Sequence, residues 1–275
     1  MTIQVGGVHR MALVHVPLGY TGKTPLPLVL NLHGSGSTAD EQRLLTAMNR
    51  TANADGFIVA YPQAAIVQGS GFDWNVPGQP LVGGRPVPRS APNDVAFLSQ
   101  LISSLEGSYC VDAHRVYATG FSGGARMVSD LGCQLSGRLA AIAPVSGLRF
   151  PSACHATHAV PVISFHGTAD PVDPYAGHRQ KYWTYSVADA ASRWATRDGC
   201  SSTATVSHPA TTVTLTAYSG CRNAASVELY AIAAEGHEWP GGPTLPAALT
   251  RVLGPQSGAV DADAVMWKFF AAHRL

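Results

Sequence analysis

The sequence predicts an α/β chain with a mostly parallel central sheet flanked by helices, in one domain over residues 1–275. Two observations lead there: short apolar runs of strand length recur along the chain, and segments with helical spacing of apolar residues separate them. A third is size, since 275 residues with 46% hydrophobic content can close one large core.

Taken in order, Val8 to Val16 alternates in part and suits an edge strand, and Leu28-Val29-Leu30-Asn31-Leu32 is a buried run stopped by His33-Gly34. Thr38-Ala39-Asp40-Glu41 has capping-box spacing and opens a helix with Leu44, Leu45 and Met48 on one face. Phe57 to Tyr61 is the next strand. Residues 69–90 are crowded with glycine and proline and read as a long substrate-side loop. Asn93 caps a helix whose buried stripe is Leu98, Leu101, Ile102 and Leu105. Arg115 to Phe121 reads as a strand and Ala125 onward as a helix. Further strands are expected at Ala140–Val145, Val160–Phe165, Thr211–Tyr218 and Val227–Ile232. Helices are expected from about Ser186 to Arg197 and after Asp261.

The pattern that carries chemistry begins at Gly120-Phe121-Ser122-Gly123-Gly124, between a strand and a helix. Glycines there permit a sharp turn that lifts the serine hydroxyl clear of the sheet, and a serine nucleophile then needs a base, an orienting acid and an oxyanion site. Asp170 follows the strand Val160–Phe165 and is preferred as the acid over Asp173. His237, in Glu235-Gly236-His237-Glu238-Trp239-Pro240, follows the strand Val227–Ile232 and stands out as the base. The oxyanion donors are expected from the backbone of Gly123 and of Ser35. His33 and His166 read as turn residues at strand ends.

Composition narrows the classes. A net charge of +1 gives no footprint for nucleic acid, and no apolar run is long enough for a membrane-spanning helix. Met1-Thr2-Ile3 runs straight into a strand, which reads as a mature chain without its leader. Cys133 and Cys154, like Cys200 and Cys221, are 21 residues apart, without the spacing of a metal site. Cys110 is left over, so the spacing alone leaves reduced cysteines open.

His33-Gly34-Ser35 after a strand, Gly120-Phe121-Ser122-Gly123-Gly124, His166-Gly167-Thr168-Ala169-Asp170-Pro171 and Gly236-His237-Glu238-Trp239-Pro240-Gly241 occur together and in order. From about Val8 to the closing helix, the chain resembles the secreted esterases of carbohydrate esterase family one. That group includes feruloyl esterases, acetyl xylan esterases and polyhydroxybutyrate-depolymerase-like enzymes. The resemblance implies an α/β-hydrolase fold, double displacement without cofactor or metal, and export. It puts Ser122, Asp170 and His237 at the catalytic positions, Ser35 and Gly123 at the oxyanion positions, and disulfides at Cys133–Cys154 and Cys200–Cys221. Relatives often have a cysteine near the loop Trp-Asn, where this chain has Trp74-Asn75-Val76-Pro77, so Cys110 lacks that partner. The expected function is a monomeric, secreted feruloyl esterase releasing hydroxycinnamate from plant cell-wall polysaccharide, with Trp74 and Trp239 as flat walls for substrate. The alternatives are a polyester depolymerase, an acetyl xylan esterase, an oligopeptidase-like peptidase, and a non-catalytic binding protein.

Overall fold

The computed structural model describes residues 1–177 and 182–275. In chain order the elements are β1 (Thr2–Val5), β2 (Val8–His15), β3 (Leu26–Leu32), α1 (Ala39–Thr46), α2 (Met48–Asp55), β4 (Ile58–Pro62), β5 (Ile66–Gln68) and β6 (Gly71–Asp73). There follow α3 (Asp94–Ser108), β7 (Val111–Phe121), α4 (Gly123–Gln134), β8 (Ala141–Val145), β9 (Val162–Gly167) and α5 (Val187–Asp198). The chain closes with β10 (Thr205–Ala210), β11 (Val213–Tyr218), β12 (Val227–Ile232), α6 (Ala247–Leu253) and α7 (Ala262–Ala271).

One ten-stranded sheet runs in the order β1-β2-β4-β3-β7-β8-β9-β12-β11-β10. Its centre, β4 to β12, is parallel throughout, and antiparallel pairs close both edges. The strict two-residue period of a strand sends alternate side chains to opposite faces. Leu28, Leu30 and Leu32 of β3 therefore pack with α3, α4 and α5, while Val29 joins α2 and α7 on the other face. This is the mostly parallel α/β architecture that the alternation of runs predicts.

Four local expectations are corrected. The strand at Val8 is not the edge, because Gly6 and Gly7 turn at φ 55° and 81° and bring β1 alongside it. The first helix stops at Thr46, since Ala47 adopts φ 51°; its buried residues are Ala39, Gln42 and Thr46, and Leu44 is exposed. The 69–90 region is not loop throughout: β5 and β6 form a hairpin over Ile66–Asp73. Finally, β10 pairs with β11, a strand hidden in the sequence because five of its six residues are exposed. The two cysteine pairs are both disulfide-bonded, and Cys110 is free. No helix among the described residues is long and apolar enough to cross a membrane.

Candidate active site

The catalytic candidates and Ser35 lie just beyond the carboxyl ends of parallel strands, where the loops of an open α/β sheet converge. Ser35 follows β3, Ser122 follows β7, Asp170 follows β9, and His237 follows β12. The turn at Ser122 is strained, with φ 53° and ψ −115°, a region disfavoured for any side chain bearing a Cβ. Two contacts hold it: Ser122 N–H donates to Val145 O at the end of β8, and Ser122 O accepts from Arg126 N–H, both at 3.0 Å. The flanking glycines are required by close approach. A Cβ on Gly120 would sit 2.8 Å from the Gly124 carbonyl carbon, and one on Gly124 would sit 2.6 Å from His33 O.

Asp170 and His237 meet directly. His237 Nδ1–H donates to Asp170 Oδ2 at 2.7 Å, which leaves Nε2 free of the acid. Asp170 Oδ1 accepts the N–H groups of Val172 and Asp173, each at 2.8 Å. His166 Nε2 lies 3.3 Å from Asp170 Oδ2 and 2.8 Å from Asp173 O. Burial works against charge on Asp170, but the hydrogen bonds from His166 and His237 overcome it and hold the carboxyl well below the usual range. Burial likewise opposes charge on His237, yet the hydrogen bond and field of Asp170 raise its pKa overall. Asp173 is the opposite case: buried, with Oδ2 unpartnered among the described residues, it is pushed toward its neutral form. The geometry therefore favours Asp170 over Asp173 as the histidine's partner.

Ser122 and His237 face one cavity of about 660 Å³ together with Ser35. Its remaining lining is largely aliphatic, with Leu44, Leu45, Val82, Val172, Leu249 and Leu253 among it. Leu249 and Leu253 belong to α6, an element absent from the sequence reading. Pro246 before it and Gly254 after it were the available signal. Ser35 packs against Gly123, where an added Cβ would lie 2.9 Å from Ser35 N, so the two expected oxyanion residues are neighbours.

The two tryptophans are not on the cavity wall. Trp74 is 3% exposed; its Nε1–H donates to His33 O at 2.8 Å and its ring lies 5.0 Å from the His33 ring. Asp73 and Phe72 accept from Gly36 N–H, each at 3.0 Å, so β6 clamps the whole turn carrying Ser35. Burial drives His33 down to about 4 and keeps it neutral. As a neutral ring it accepts Ala64 N–H at Nε2 and donates from Nδ1 to Gly34 O. Trp239 is 1% exposed and donates to Asp263 Oδ1 at 3.0 Å. A tryptophan on a glycine-rich loop was expected to face substrate, but each indole N–H finds a buried acceptor instead. Trp74→Ala should therefore lower stability by about 3–5 kcal/mol, measured by denaturant titration, with KM little changed. A large rise in KM at unchanged stability would return Trp74 to the substrate wall.

A parallel sheet whose strand ends gather a serine on a strained turn and a carboxylate-held histidine places the chain in the α/β-hydrolase class. The family model described as esterase PHB depolymerase matches residues 12–177, and the chain belongs to that family. Among curated relatives it is 30% identical over 240 residues to feruloyl esterase B of Piromyces equi, covering 83% of this chain and 42% of that protein. It is 28% identical to poly(3-hydroxyalkanoate) depolymerase C of Paucimonas lemoignei, covering 54% of this chain and 34% of that one. The fold is similar to that of the acetyl xylan esterase from Aspergillus awamori, with a TM-score of 0.64 and 16% identity over 94% of this chain and 93% of that one. The chain spans less than half the length of the first curated relatives it matches.

Proposed function

We propose that this chain is a serine carboxylic ester hydrolase, acting as one catalytic unit with Ser122 as nucleophile, His237 as base and Asp170 as the acid that orients it. The observation carrying this reading is the 2.7 Å contact from His237 Nδ1 to Asp170 Oδ2, with Ser122 opening into the same cavity as His237. In the proposed cycle His237 takes the Ser122 proton as the serine oxygen attacks the ester carbonyl. The N–H groups of Ser35 and Gly123 hold the oxyanion, and the protonated His237 returns its proton to the departing alcohol. Water, activated by the same histidine, then releases the acid. A fluorophosphonate should label the wild type on the peptide containing Ser122 and leave Ser122→Ala unlabelled. Failure to label would overturn the reading.

Within that chemistry the acyl group is proposed to be hydroxycinnamoyl, the reading supported by the name of the relative from Piromyces equi. A cavity of about 660 Å³ has room for such a group. A second reading, a short aliphatic oligoester, is favoured by the lining itself, in which Phe121 and His237 are the aromatic rings among the described residues. Methyl ferulate turned over well above a hydroxybutyrate oligomer supports the first, and the reverse order the second. Export is proposed on the two disulfides, which need an oxidising compartment.

A further inference from the structure

The side chain of Ser35 is tied to a buried cation. Its Oγ accepts a hydrogen bond from Arg126 Nη2 at 3.2 Å and is held against Gly123, so close that an added Cβ there would collide with it. Ser35 also lines the cavity that Ser122 and His237 face. A hydroxyl that accepts from a guanidinium keeps its own proton free to donate, and the cation increases the polarity of that O–H.

Arg126 is an unusual residue to find here. It lies one turn after Ser122 on α4 and is 4% exposed. Among the described residues no carboxylate lies within ion-pair distance of it and its Nε has no partner. The Tyr182 ring, centred 5.0 Å away, packs against the guanidinium. Asp130, one helical turn on, is not its counter-ion: burial raises that carboxyl to about 6, and its Oδ2 is unpartnered among the described residues. The other charges that feel Arg126 are Asp173, His237 and Arg149. A buried, uncompensated cation is costly to keep. It has the largest effect on negative charge that develops close by in the same dry site.

Resting on the esterase reading above, we propose that Ser35 Oγ–H is a third donor to the oxyanion and that Arg126 is the positioning residue that orients and polarises it. No proton leaves Ser35. As the Ser122 oxygen bonds to the ester carbon, the carbonyl oxygen takes up negative charge and the Ser35 O–H hydrogen bond to it shortens. The bond relaxes when the carbonyl reforms and the alcohol departs.

The experiment compares Ser35→Ala, Arg126→Met, Arg126→Lys and the Ser35→Ala/Arg126→Met double variant with Ser122→Ala. Each is measured as folded protein on 4-nitrophenyl acetate, the variants that keep Ser122 normalised by active-site titration and Ser122→Ala by protein concentration. Ser35→Ala keeps its backbone N–H and should lower kcat about 10- to 100-fold with little change in KM. Arg126→Met should lower kcat comparably, Arg126→Lys should recover part of the loss, and the double variant should be no worse than the poorer single one. Arg126→Met should also move the acid limb of the pH profile upward, because Arg126 opposes charge on His237. A kcat for Ser35→Ala within twofold of the parent, or losses that multiply in the double variant, would overturn this inference and leave the esterase reading intact, provided Ser122→Ala is inactive. Turnover by Ser122→Ala would overturn the esterase reading itself.

Discussion

Replacing Ser122 by alanine is expected to lower ester hydrolysis by roughly 10⁵- to 10⁶-fold, because no other hydroxyl occupies the turn that His237 faces. The small remaining rate would come from binding and the oxyanion donors. The fold should survive, since Ser122 contributes backbone hydrogen bonds to Val145 and Arg126 that alanine keeps. Stability gives an independent check on why the serine stands where it does. At φ 53° any Cβ is strained, so Ser122→Gly should be more stable than Ser122→Ala by about 1 kcal/mol while being equally inactive. Strain that persists at one residue between two buried elements marks a position selected for chemistry rather than stability. Steady-state turnover paired with urea midpoints reads both effects. An active Ser122→Ala, or a glycine variant no more stable than the alanine one, would contradict the account.

The site was legible in the sequence where its signals are local. An apolar run ended by glycine marks a strand end, and the residues placed at such ends (Ser35, Ser122, Asp170 and His237) converge because parallel strands all deliver their loops to one side of the sheet. What sequence reasoning missed depends on partners far along the chain. Trp74 lies in a glycine- and proline-rich stretch, and only its contacts with His33, 41 residues away, show that it packs inward. Arg126 looks like any helical arginine until Ser35, 91 residues earlier, is placed against it. Leu44 was assigned to a buried face by extending the α1 period through Met48. No glycine or proline announces the break at Ala47, which puts Met48 in a second helix; Met48 is buried and Leu45 half-buried, while Leu44 is exposed. The strand β10 is polar and nearly all exposed, so its pairing with β11 left no apolar alternation to read.

Asp170→Asn is expected to lower kcat by about 10⁴-fold and to shift the pH profile in a direction fixed by the charges around His237. The asparagine preserves volume, and its carbonyl can still accept from Val172 and Asp173. It then turns an amide donor toward His237 Nδ1, which selects the wrong tautomer. In the wild type, burial lowers the pKa of His237, but the hydrogen bond and field of Asp170 raise it above the ordinary value of 6.5. The neutral ring is the active form, so wild-type kcat/KM should fall as pH drops through a value above 6.5. Removing the Asp170 charge leaves burial dominant, and the acid limb of the residual activity should move to lower pH. Asp173→Asn provides the control. That carboxyl already tends to its neutral form and makes no hydrogen bond to His237, so its loss should cost less than about tenfold. A profile for Asp170→Asn that shifts upward, or a larger loss at Asp173 than at Asp170, would show that Asp170 is not the orienting acid.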